Sequence, residues 1–176
     1  MTGIMVAGVG MGASNLRGIT VAGIGAGASR VQGVLLAGLG AGTERIDGLA
    51  AALLGFGTED ANGVAVAGLG IGGRHLRGLF VGGLGVGGET LHGVGVGGGI
   101  GAEEVRGLAL GVAYQRSTFL YGLATGVYNR ADEAHGIMLG IVNHAEVLHG
   151  VQIGLVNHVG SGPAAARWLP LVNARF

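Results

Sequence analysis

Seven side chains in the C-terminal third recur at intervals that could do chemistry. Asn129, Asn143 and Asn157 follow one another in steps of 14, as do His144 and His158, and His135 and His149. If 14 residues make one turn of a stacked coil, same-position side chains lie about 4.8 Å apart. Asparagine amides at that separation can hydrogen-bond as a ladder along the stack. Paired imidazoles at that separation could hold a divalent metal, which makes His144, His158, His135 and His149 the candidate ligands. No acidic residue recurs beside them in a fixed coordination pattern, so a polar corner is the preferred reading of the histidines.

Other chemistries find no support. GLGIGG at 68–73 and GLGVGG at 83–88 have GxGxxG-like spacing. A dinucleotide site also needs a following helix and a later acidic residue, and here the glycines simply recur with the period. Ser14, Ser29, Ser117 and Ser161 lack a nucleophile-elbow context or an evident base. With no cysteine, neither disulfides nor thiolate metal sites arise. Ten arginines balance ten acids, giving no global field to recruit nucleic acid. No enzyme, cofactor or small-molecule substrate can be argued from these residues.

The elements that must position these side chains come from one repeated unit, GVAVAGLGIGGRHLR at 63–77. Copies begin at Gly3, Gly18, Gly33, Gly48, Gly63, Gly78, Gly93, Gly107, Gly122, Gly136 and Gly150. A fixed period over the chain means serial architecture. The 42 glycines do not fall at every third position, which excludes collagen, and 49% apolar against 11% charged residues excludes disorder.

With Gly63 as position 1, large aliphatics occupy positions 2 and 4 (Val34 and Leu36, Leu79 and Val81) and position 7 (Ile24, Leu39, Leu69). Position 9 is apolar, and position 14 is aliphatic within a polar run, as Leu16, Ile46 and Leu91 show. Alternation of this kind predicts strands. The pattern predicts an all-β chain, a β-solenoid (parallel β-helix) of about eleven 14–15-residue coils with three short strands each. Positions 2, 4, 7, 9 and 14 are expected to point inward. The variable position 3 and the glycine or alanine positions 5, 8 and 10 are expected to point outward, leaving flat small-residue faces. Compared with the 14-residue copies, the longer ones carry one extra residue near position 5 or 6, read as a bulge.

The solenoid is expected over 1–159, with bulged 15-residue coils to about 121 and 14-residue coils after. A C-terminal loop and capping partial coil should fill 160–176, where Leu171, Val172 and Asn173 echo Leu155, Val156 and Asn157. In that cap Trp168 and Phe176 would cover the core end, and Pro170 would blunt the edge. The first repeat starts at Gly3 with nothing to cover its coil, and MTGIMVAGVG shows no signal-peptide pattern.

The copies GIMLGIVNHAEVLHGVQIGLVN and the closing WLPLVNARF resemble a bacterial surface-repeat family of the Leptospira type, with GVQIGLVN-like units and a terminal Phe. The resemblance covers residues 122–176. It implies a bacterial, envelope-associated protein and brings no catalytic residues. The residues themselves point to a non-enzymatic structural or binding solenoid, forming a homo-oligomer through its small-residue faces or its uncapped N-terminal coil, with membrane association left open. The alternative is a transmembrane antiparallel β-barrel, each uncharged run of about ten residues serving as one spanning strand. An ice-binding solenoid would want a regular threonine array, and the threonines here are scattered.

Overall fold

The computed structural model describes residues 1–161 and 167–176. Among them every regular element is a strand and there is no helix. In chain order these are β1 (Thr2–Ala7), β2 (Gly10–Ala22), β3 (Gly25–Ala37), β4 (Gly40–Ala52), β5 (Gly55–Ala67), β6 (Gly70–Val159) and β7 (Trp168–Arg175), all in one sheet. From β1 to β6 neighbours pair parallel, so that Gly3 faces Gly18, Leu16 faces Val31 and Ile46 faces Ala61. Successive parallel partners with no crossover helix make a β-solenoid. The same parallel pairing excludes an antiparallel barrel.

The strand boundaries differ from the expected division into about eleven coils. Five parallel pairings are delimited, from β1·β2 to β5·β6, and β6 then runs unbroken for 90 residues. Within β6 the repeat glycines go on stacking, with Gly107 over Gly93 and Gly150 over Gly136.

Three features turn the chain in each early copy. The first glycine of every copy has positive φ; at Gly63 it is 132°, and a Cβ there would fall 2.0 Å from the Gly48 carbonyl oxygen. Only glycine fits both the dihedral and the contact. Bends interrupt the strands at Gly23–Ile24 and Gly38–Leu39, where the 15-residue copies carry their extra residue. A third irregularity leaves Ser14 out of a ladder that includes Ala13 and Asn15.

The inward and outward faces correct the sequence expectation. Position 3 lines the interior, where Leu35 and Phe80 are fully buried, together with position 5 (Ala22, Ala52), position 9 (Phe56, Ile71) and position 14 (Leu16, Leu76). The larger aliphatics at positions 2, 4 and 7 point to solvent: Leu49 is 50% exposed, Leu36 40% and Leu84 71%. Alternation separates two faces but does not say which is inside, and both faces of this strand are apolar. The narrow interior takes the column that varies in size, because a large residue on one turn can be offset by a small one on the next. Phe80 at position 3 is followed one copy later by Gly95, whose Cβ would lie 2.7 Å from a Leu91 methyl.

The C-terminal segment also differs from expectation. β7 pairs with β6 antiparallel, placing Asn173 opposite Gln152 and Trp168 opposite His158, so it is not a further coil in the same direction. Trp168 is 62% exposed and Phe176 99%, so neither covers the core end. Pro170 lies exposed in β7, with the irregular step between Gly154 and Asn157 opposite it. The backbone of β7, not its aromatics, closes the edge of the last turn.

Candidate functional site

The asparagine column is built as its spacing predicts. Asn129 Nδ2 donates to Asn143 Oδ1 at 2.8 Å, and Asn143 Nδ2 donates to Asn157 Oδ1 at 2.8 Å, with all three side chains fully buried. Further donation from Asn129 and Asn143 reaches the Leu139 and Ile153 carbonyls. These residues occupy the inner column that Phe56, Ile71, Val86 and Ile100 fill earlier in the chain, and buried Gln115 begins the polar part. The amides fit because glycine lies beside them: a Cβ on Gly140 would fall 2.4 Å from Asn129 Nδ2. A buried amide with its hydrogen bonds made stabilises, while one left unpaired is costly.

The histidine pairs also share turns. The rings of His144 and His158 stack at 4.6 Å, with their Nδ1 atoms 3.0 Å apart, and those of His135 and His149 stack at 4.8 Å. Tyr121 extends the second column at 5.0 Å from His135, with the Arg106 guanidinium over its ring. Glu146 sits 3.1 Å from His144 Nε2, and Glu133 sits 2.7 Å from His135 Nε2. His144 and His135 therefore each have one nitrogen turned to a carboxylate. Among the described residues no group of three His, Cys, Asp or Glu side chains is placed to hold a metal ion. Burial, and secondly the neighbouring His144, holds His158 below the ordinary histidine value.

On the outer surface the residues between the inner ones form lanes along the stack. Tyr114 and Tyr128 stack at 5.7 Å and nearly parallel, which sets Arg116 beside Arg130 two residues further along each turn. The Asn129–Asn143 register sets Arg130 beside His144 in the same way. Arg116, Arg130, His144 and His158 thus continue a lane that is Gly57, Gly72, Gly87 and Gly101 in earlier copies. A cleft of about 390 Å³ lies where the lane changes, lined by Gly88, Gly101, Glu103, Tyr114 and Arg116 among others. These aromatic and cationic lanes were missed in the sequence, although Tyr114 and Tyr128 share the 14-residue step of the asparagines.

Charge elsewhere is spread over the corners in exposed pairs such as Arg45–Asp47 at 3.2 Å and Arg74–Glu59 at 3.5 Å, which contribute little each. Asp47 is held below the ordinary carboxylate value, chiefly by the hydrogen bond from Asn62. A shallow apolar groove of about 580 Å³ runs between Val21, Leu36 and Val66, with Leu53 projecting at its side. Among the described residues no helix is long and apolar enough to cross a membrane. No protein-family model, characterised protein or solved structure matches this chain.

Proposed function

We propose that this chain is a non-enzymatic scaffold of the bacterial envelope or surface that associates with itself through one outer face. The β-solenoid is the framework of a structural or binding repeat protein. Self-association is supported above all by one ridge and one groove lying side by side. The position-7 ridge of Ile24, Leu39, Leu54 and Leu69 is between 43% and 49% exposed. Beside it the position-8 glycines, and then the position-10 lane of Gly12, Gly42, Gly57 and Gly72, form the groove, and at those position-10 glycines an added Cβ would meet nothing within 4 Å. Those glycines have no positive φ and no contact within the chain to require them. Their recurrence is accounted for if a second copy lays its ridge into this groove while receiving the first copy's ridge in its own, as a two-fold interface does. The Gly/Ala-rich face expected from the sequence is replaced in this reading, because the alanines at position 5 line the interior. The envelope assignment rests on the resemblance of residues 122–176 to bacterial surface repeats.

Sedimentation equilibrium tests the association. Wild-type chain should be dimeric or larger at micromolar concentration, and Leu39→Lys with Leu54→Lys should be monomeric with unchanged β-sheet circular dichroism. A wild-type monomer, or a variant that still associates equally well, would overturn the reading.

A further inference from the structure

The outer side of the C-terminal turns carries three parallel lanes of different chemistry. On one turn the outward residues in succession are Tyr114, Arg116 and Thr118; on the next they are Tyr128, Arg130 and Asp132; the following turn presents His144 and Glu146. An aromatic lane therefore flanks a cationic lane, and hydroxyl and carboxylate groups flank it on the far side. Among the described residues neither Arg116 nor Arg130 is in an ion pair, and Arg130 Nε is buried with no hydrogen-bond partner. Two arginines on adjacent turns, whose backbones lie about 4.8 Å apart, repel each other unless an anion lies between them.

We propose that this strip binds an acidic polysaccharide running along the solenoid axis. Sugar carboxylates bridge Arg116 and Arg130 as charge-assisted hydrogen bonds. Ring faces lie against Tyr114 and Tyr128, and sugar hydroxyls donate to Asp132 and Glu146. The cleft at Gly101, Tyr114 and Arg116 admits the end of the chain, since the glycine lane there is low. Charge complementarity favours a sugar chain over a nucleic acid. Asp132 and Glu146 repel a closely spaced phosphate backbone, yet they suit a ligand rich in hydroxyl donors, and the chain has no net positive charge to supply non-specific attraction. This inference does not depend on self-association.

Isothermal titration with polygalacturonate, its fully methyl-esterified form and single-stranded DNA tests the assignment. The wild type should bind polygalacturonate, and bind the neutral ester and DNA at least tenfold more weakly. Arg116→Gln with Arg130→Gln should weaken polygalacturonate binding at least tenfold while retaining wild-type circular dichroism. Arg77→Gln, on another corner, should bind as the wild type does. Tyr128→Leu should also lose affinity, which a purely electrostatic patch would not. No polygalacturonate binding, DNA bound as tightly, or equal loss in Arg77→Gln would overturn the proposal.

Discussion

Asn129 Nδ2 lies 2.8 Å from Asn143 Oδ1, one turn away in space and 14 residues away along the chain. Asn143 is the middle rung, since it accepts from Asn129 and donates to Asn157. Replacing it with alanine leaves Asn157 Oδ1 without its donor inside the core. Urea denaturation of Asn143→Ala should show a loss of about 2–3 kcal/mol. A change smaller than about 0.5 kcal/mol would mean that the ladder contributes nothing net.

Two glycines in adjacent copies separate backbone necessity from surface preference. Gly63 has φ of 132° and a carbonyl oxygen 2.0 Å from any added Cβ, whereas Gly57 has open space. In the monomeric Leu39→Lys, Leu54→Lys background, Gly63→Ala should cost roughly 2–4 kcal/mol, comparable to other strained or overpacked sites, and Gly57→Ala should stay within about 0.5 kcal/mol. Equal effects at the two sites would contradict the corner assignment.

Adjacent leucines test the two faces. Leu35 is fully buried and Leu36 is 40% exposed. Leu35→Ala should destabilise by about 3 kcal/mol through the cavity it leaves, and Leu36→Ala by less than about 1 kcal/mol. The reverse order would restore the inward positions first expected from the pattern.

What the residue pattern made readable, and what it hid, follows from the same geometry. A period is visible because each copy must present the same corner glycine; all eleven, from Gly3 to Gly150, have positive φ. The asparagine column was readable because one residue type recurs at one step. The faces were not, since Leu35 and Leu36 are chemically identical and only the width of the interior decides between them. The role of Gly140 was hidden too, because its space is claimed by Asn129, a residue of the preceding turn. The direction of β7 was obscured because WLPLVNARF resembles a repeat in composition, while Asn173 pairs with Gln152 rather than stacking on Asn157.

Acid should weaken the fold in two steps. Burial and His144 depress His158 in the folded chain, so below the ordinary value of 6.5 the unfolded chain binds more protons. Stability is intact above that value and falls as the pH drops from it through the lower folded value. Asp47, depressed chiefly by Asn62, contributes above 3.8 and loses that contribution as the pH falls through its lower folded value. The urea midpoint should fall between about pH 7 and pH 5, and His158→Gln should flatten that part of the profile. Parallel profiles for wild type and variant would contradict the assignment to His158.

The stacking itself is tested most directly by spin-label distances along one lane. Arg17, Gln32, Asp47, Asn62 and Arg77 are successive parallel partners. Cysteine-attached labels at Arg17 paired in turn with Asp47, Asn62 and Arg77 should give separations that grow by about 4.8 Å for each added turn, reaching roughly 19 Å between the backbones of the last pair. Separations that fail to rise in equal steps, or a last pair no farther apart than the first, would contradict a parallel in-register solenoid.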